Sequence, residues 1–493
     1  MVCGKWDKET DVVVIGYGGA GAVAAITVSE QDGQVIVLEK ASEPGGSTGT
    51  SSGGMGIPDH AEKAAQFIQA VGLGSIDGES ANVFAETWVG IKDWLEQHGG
   101  QLTFLARSAR FKFSGYDTFK QTAYIKNDAY ETGSGKVLFG FLEQIVRKLP
   151  VDVMLGTAAK RLVQDPDTRE IVGVIAECEG KEILIKAKKA VIMTCGGFEG
   201  NPEMLATYVE GAPVPIYVSG TPYNTGDGIK MVIDVGADLW HMNGVEWARP
   251  GMKVAEFPAA FWLSPREWSW INVNRFGSRF RDESDANGHG KTFAEVFRFN
   301  AENVEWPNYP WYMIFDEKTR QAGSIILSEK APGRSPFSTY NISSGLYNPS
   351  PDNMREIEKG WIKKADTIAA LATETGIDPI GLQGAIAGYN EHCQNGDGLD
   401  PDFHRKQSTL QPIDKPPYYS VECAVNVINT QGGPKRNARG QVLNPYGTPI
   451  SRLYAGGEFG SIWGHLYPGS SNLPECIVSG IIAGRNAMTE TPS

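Results

Sequence analysis

The sequence predicts an α/β protein with a parallel sheet at its centre. Three observations carry this: a β-branched run near the amino terminus that opens onto a glycine turn, the small-residue helix and second strand behind that turn, and a glycine excess. Glycine makes up 59 of 493 residues, or about 12%, against a usual value of about 7%. Such an excess points to many backbone positions with positive φ or close ligand approach.

At roughly 150 residues per domain, the length allows about three domains, or two if one contains a large sheet. A composition of 41% hydrophobic and 21% charged residues excludes disorder, collagen and coiled coil for the whole chain. The net charge of −13 argues against a nucleic acid partner, which needs a concentrated positive surface. No apolar run approaches the 18 or so residues that span a bilayer, and the first ten residues carry no secretion signal, so the cytoplasm is the expected location. The cysteines at 3, 178, 195, 393, 423 and 476 form no CxxC, and the histidines no HExxH. With no metal set in the sequence, an organic cofactor or acid and base groups must carry the chemistry.

The elements follow in order. Asp11 to Ile15 reads as a buried strand and leads into Gly16, Tyr17, Gly18, Gly19, Ala20 and Gly21, a GxGxxG turn. Ala20 to Glu30 is small and apolar, as a helix packed tightly on a sheet requires. Gln34 to Leu38 is the second strand, and it ends in Glu39. The helix amino terminus offers N–H groups and a positive dipole end to a pyrophosphate, while Glu39 is placed for ribose hydroxyls. To this point NAD and FAD are both open.

The next segment decides between them. Lys40 begins a long loop rich in glycine and hydroxyls, containing Gly45, Gly46, Ser47, Thr48, Ser51, Ser52, Gly53 and Gly54. Nicotinamide domains normally proceed to a helix there, whereas such a loop can wrap an extended FAD. Two distant strands also end in paired glycines: Ala187 onward into Gly196 and Gly197, and Arg452 onward into Gly456, Gly457 and Glu458. Together these segments indicate FAD, bound by a domain assembled from both ends of the chain.

The chain resembles, over essentially its whole length, the flavoprotein superfamily of soluble fumarate reductases and 3-ketosteroid dehydrogenases. Further stretches that carry the resemblance are Asn224 to Ile229, Gly277 to Glu283, Ala365 to Asp378, and Pro416 to Tyr419. It implies a Rossmann-like FAD-binding domain of the glutathione-reductase type, residues 1–240 and 421–493, with an inserted α+β catalytic domain at 241–420. Asp227 joins the expected cofactor residues on the same grounds. Within the insertion, Asp352 to Thr375 shows helical apolar spacing with Gly376 as a stop, and Trp306 to Asp316 leads into a strand.

Fumarate reductases of this superfamily hold two carboxylates with histidine and arginine and protonate with another arginine. At the corresponding places this chain has Arg249-Pro250, Asn287, Asn429-Thr430, and a segment from Gly464 to Asn472 without arginine. A dicarboxylate substrate is therefore not expected. Gly464 to Gly469 instead resembles the Gly-His-x-Tyr-Pro-Gly motif of 3-ketosteroid dehydrogenases. The match makes Tyr467 the donor to a substrate carbonyl, assisted by a backbone N–H near Ser471, with His465 as a packing residue. Asn472 and Leu473 would pass the flavin pyrimidine edge at the start of a last helix, Leu473 to Met488.

The proton-transferring tyrosine of those enzymes has no counterpart here. Tyr312, Tyr309 and Tyr340 are the substitutes, in that order, and Tyr116, Tyr124 or Tyr130 could border the pocket. The expected activity is interconversion of a small-molecule ketone and its α,β-unsaturated partner. No nicotinamide site is evident, so a quinone or flavin-type carrier is expected to exchange electrons. The competing readings are an acrylate reductase, with Arg249 or Arg279 binding one carboxylate, and a non-catalytic electron-transfer subunit.

Overall fold

Strand Lys8–Ile15 lies in the middle of the largest sheet, and its neighbours on both sides run parallel to it. The computed structural model describes residues 5–491, except 108, 127–133, 210–214, 285–290, 329–338, 395–398 and 465. The sheet order is Gln441–Leu443, Pro449–Ala455, Lys181–Met193, Lys8–Ile15, Val35–Leu38, Val151–Met154. Both ends of the chain therefore contribute strands to one sheet. Strands Thr157–Gln164 and Ile171–Cys178 extend it as an antiparallel meander.

Helix Gly19–Ser29 is buried on every side. Small residues make that possible. A Cβ on Gly480 would lie 2.8 Å from the Ala20 carbonyl oxygen, and one on Gly484 would lie 2.8 Å from Thr27 Cβ. The terminal helix Asn472–Ala487 thus packs backbone to backbone against the first helix, which is itself pressed onto the sheet.

The middle of the chain builds an antiparallel sheet in the order Trp270–Asn274, Trp311–Asp316, Tyr418–Cys423, Lys363–Ala365. A three-stranded sheet places Val425–Thr430 between Ile216–Val218 and Val245–Trp247. It ties the chain leaving the middle region to the chain entering it.

Two sequence expectations change. Asp352 to Thr375 is not one helix. Helix Met354–Glu358 ends before Gly360, whose φ is +73°. Lys363–Ala365 then joins the edge of Tyr418–Cys423 as a strand, and a second helix, Ile368–Thr375, starts with Thr367 Oγ1 accepting the Ala370 N–H. Available strand pairing outweighed helical spacing. Gly376, with φ +75°, is the stop the sequence indicates. The glycine and hydroxyl-rich loop also contains a short helix, Gly46–Thr50, which follows Gly45 at φ +118°.

Candidate active site

A single cleft of about 1240 Å³ runs along the carboxyl ends of the parallel strands and on beneath the middle region. That exceeds the 300–1,000 Å³ typical of small-ligand sites, and leaves room for a dinucleotide and a substrate together. Ligands of open α/β sheets bind at these strand ends.

At the glycine turn, close approach decides the sequence. A Cβ on Gly21 would lie 2.0 Å from the Gly16 carbonyl oxygen, and one on Gly16, at φ +98°, would lie 2.4 Å from that of Thr194. Gly19 donates its N–H to Thr48 Oγ1 at 3.1 Å, locking the hydroxyl-rich loop onto the helix start. A Cβ on Gly18 or Gly46 would meet no protein atom nearer than 3.7 Å, and one on Gly49 nothing within 4 Å. These glycines leave bare backbone facing the cleft, a cradle that a side chain would fill and that fits the pyrophosphate of FAD.

Glu39 accepts the N–H groups of Tyr17 and Ala41, each at 2.8 Å, and lines the cleft beside the first turn. Lys40 lies 2.6 Å from Asp227, so these two expected cofactor residues hold each other. Ala20, Ser47, Ser51, Ser52, Gly54, Gly196, Gly457, Glu458, Asn472 and Leu473 also line the cleft. Gly21, Gly45, Gly53 and Gly197 do not. Gly45 answers to its φ of +118°, and in the other three the lack of a Cβ serves packing: one on Gly53 would strike the Ser134 carbonyl carbon at 2.5 Å, and one on Gly197 would strike Thr430 Oγ1 at 2.1 Å.

Polar groups are linked along one wall. Asn224 donates to Glu199 at 2.6 Å and to Ser47 at 2.9 Å, and Thr430 donates to Glu199 at 3.1 Å. Burial pushes the Glu199 carboxyl up to about 7. Glu458 is raised by burial and then by the charges of Glu199 and Glu475, while Ser47 opposes the rise.

Tyr467 lines the opposite end of the cleft, with Arg107, Glu246, Arg249, Trp262 and Trp268. Burial raises its phenol well above its ordinary pKa, and the Glu246 charge adds to that. Arg107 and the backbone N–H groups of Ser471 and Ser470 act the other way. Ser470 lines the cleft, whereas Ser471 is buried and does not. Ser471 immediately precedes the terminal helix, so its N–H lies at the positive end of a 16-residue helix.

The three substitute tyrosines divide. Tyr340 lines the cleft and donates to the Tyr223 hydroxyl at 3.4 Å. Tyr312 does not line it. It lies on strand Trp311–Asp316, where alternation turns Met313 into the cleft and Tyr312 toward a separate apolar cluster containing Ile271, Ile314 and Leu371. Tyr309 packs at the edge of the main core, also outside the cleft. Tyr116 is exposed, and Tyr124 is buried with its hydroxyl near Gly54. Tyr130, Asn287 and His465 lie outside the described residues.

Of the two arginines proposed for a carboxylate, Arg249 lines the cleft and donates to Ser264 Oγ at 3.3 Å. Arg279 does not line it. It is buried against Glu283 at 2.9 Å and Asp400 at 2.7 Å, and packs on the rings of Tyr389 and Phe403. It is a structural cation.

Arg107 and Glu246 were missed by the sequence reading. Glu246 carried a signal, being the one acid between valine and tryptophan in a short strand three residues before Arg249-Pro250. Arg107 carried none, because its partner Ser470 is 363 residues away.

The family model for the FAD binding domain matches residues 11–473. Urocanate reductase of Eggerthella lenta is 30% identical over 97% of this chain and 74% of that protein. The 3-oxosteroid 1-dehydrogenase of Mycobacterium tuberculosis is 26% identical over 94% of this chain and 95% of its own length. Among solved structures, 3-ketosteroid delta1-dehydrogenase from Sterolibacterium denitrificans, in complex with 1,4-androstadiene-3,17-dione, superposes with a TM-score of 0.79. It covers 98% of this chain and 100% of that one, at 20% identity.

Proposed function

Because the chain belongs to the FAD binding domain family, as an FAD-dependent oxidoreductase related to 3-oxosteroid dehydrogenases and urocanate reductase, we propose that it interconverts a ketone and its α,β-unsaturated ketone. The observation that carries this reading is the placement of the Tyr467 phenol on the cleft lining beside Ser470, Asn472 and Leu473, with Ser471 buried at the start of the terminal helix.

Bound in the glycine-lined half, FAD supplies the two-electron acceptor that takes a hydride from the β-carbon. The residues of the chain do the rest. Tyr467 donates its O–H to the carbonyl oxygen, and the Ser471 N–H is a second donor to the negative charge that develops there. One such donor typically contributes about 2.7–4 kcal/mol to the transition state. Trp262 and Trp268 supply apolar walls that exclude water from the enolate. Residues 1–240 and 421–493 are assigned to the cofactor and 241–420 to the substrate, with a quinone or flavin-type carrier as electron partner.

The test is Tyr467→Phe. The variant should bind FAD with an unchanged visible spectrum and lose roughly 10²–10³-fold in turnover on the best ketone or enone. Full turnover would overturn the reading.

One observation favours a second reading, reduction of an acrylate-type acid: Arg249 and Arg107 both line the substrate end. Methyl esterification of an active acid would abolish turnover under that reading and leave a ketone-directed enzyme indifferent.

A further inference from the structure

The ketone reading leaves one role unfilled, the group that exchanges the proton at the α-carbon. Tyr312 and Tyr309 lie outside the cleft. Arg107 and Arg249 carry guanidinium groups that are already protonated and so cannot take up the α-proton. Tyr340 is within the cleft but bonded to Tyr223.

Glu246 is the carboxylate among the described residues at the Tyr467 end of the cleft. It lies in strand Val245–Trp247, opposite Asn429 of the adjacent strand, and is 4% exposed. The strand is irregular between Glu246 and Trp247, and contacts fix the two side chains: Trp247 stacks on Phe293 with ring centroids 3.8 Å apart, while Glu246 lines the cleft. Its Oε1 is 3.7 Å from Arg110 Nη1, an ion pair that orients the carboxylate. Its charge is near enough to act on the Tyr467 phenol, second only to burial. A carboxylate base paired with a tyrosine that holds the carbonyl oxygen is an effective arrangement for abstracting a proton α to a ketone.

We infer that Glu246 is the catalytic residue that takes the α-proton of the substrate ketone, and returns it when the reaction runs as enone reduction. This rests on the ketone reading of the same cleft. In the forward step the α-carbon C–H bond breaks and its proton passes to a Glu246 carboxylate oxygen. The electron pair moves into the enolate held by Tyr467 and Ser471. With FAD held in the glycine-lined half to supply the two-electron acceptor, the β-carbon C–H bond would then break with its hydride leaving to that acceptor, and the carbon–carbon double bond would form as the carbonyl is restored. Glu246 afterwards releases its proton to solvent.

Proton transfer can be measured apart from turnover. Holoenzyme photoreduced without air cannot accept a hydride, so α-hydrogen exchange of cyclohexanone and a saturated 3-ketosteroid in D2O, followed by mass spectrometry, reports this step alone. Wild type is expected to exchange at least one of them, and Glu246→Gln to do so at least 100-fold more slowly with an unchanged flavin spectrum. Exchange by Glu246→Gln at the wild-type rate overturns the inference and leaves the ketone reading intact. No exchange by wild type, together with no bleaching of oxidised flavin by any ketone, overturns the ketone reading and the inference with it. If Glu246→Gln loses its flavin, Glu246→Asp decides. Slowed exchange with a larger isotope effect on an α-deuterated ketone supports the role, and the wild-type rate overturns it.

Discussion

Arg107 donates from Nη1 to Ser470 Oγ, which braces the turn after Tyr467 from a chain segment 363 residues earlier. Ser470 has φ +52°, a left-handed conformation that costs a non-glycine residue about 1–2 kcal/mol. The strained turn thus has an external support at the point where the proposed carbonyl donors lie. Arg107→Ala is expected to lower turnover about tenfold or more without changing flavin content. Ser470→Gly should do the same, and the double variant should be no worse than either single one, since both remove one contact. Steady-state kinetics on the three proteins, with flavin-to-protein absorbance ratios, test this. Full additivity would mean the contact is incidental.

Gly21→Ala should yield protein with little or no flavin. The added Cβ would lie 2.0 Å from the Gly16 carbonyl oxygen, so the turn must open to admit it. Overpacking of this kind costs about 1–3 kcal/mol and displaces the backbone that the cofactor needs. The flavin-to-protein ratio after purification is the measurement. A fully yellow variant would show that the close approach is dispensable.

The Glu199 carboxyl carries a pH prediction. Burial raises it from 4.5 to about 7, so the folded protein binds this proton in a range where the unfolded chain has lost it. Stability from this group is complete below about 4.5 and falls as pH rises to about 7. Glu199→Gln keeps a neutral group between Asn224 and Thr430 and should flatten the decline. Thermal denaturation from pH 4.5 to 7.5 for both proteins decides, and parallel curves would reject the assignment.

Tyr312→Phe should keep turnover within about twofold, because its ring faces an apolar cluster away from the cleft. A large loss would mean that strand Trp311–Asp316 presents its other face to the substrate.

Arg279→Met is expected to act on folding and not on the Michaelis constant. Removing the guanidinium leaves buried Glu283 with Arg405 at 3.3 Å and buried Asp400 with His392 at 3.4 Å, so the cost approaches but does not exceed the about 3–5 kcal/mol of breaking a buried pair. Denaturant unfolding of the purified variant would reveal the loss. A changed substrate affinity at unchanged stability would revive Arg279 as a carboxylate ligand.

The parts of the molecule legible in the sequence are those whose cause is local. Asp11 to Glu39 contains its strand, turn, helix and acid in one stretch, and each is where periodicity and glycine chemistry put it. The same local logic failed between Asp352 and Thr375. Apolar spacing there is shared between two helices, and only the exposed edge of Tyr418–Cys423 draws Lys363–Ala365 into a strand. Tyr312 was misplaced for a related reason: alternation indicates that Tyr312 and Met313 face opposite ways, but not which way the cleft lies. Arg107 and Arg279 mark the far limit. One is in the cleft through Ser470 and the other is out of it through Asp400, and neither partner is near in sequence.

The packing of helix Gly19–Ser29 between the sheet and helix Asn472–Ala487 sets an order of events during synthesis. The first helix leaves the ribosome hundreds of residues before the element that covers it. Until then the Ala20 to Thr27 face, which has no charged side chain, is bare to solvent or to a chaperone, and strand Lys181–Met193 lacks its neighbour Pro449–Ala455. The flavin site therefore cannot be completed before helix Asn472–Ala487 has been made. Cofactor capture thus waits on a helix made hundreds of residues after the glycine turn.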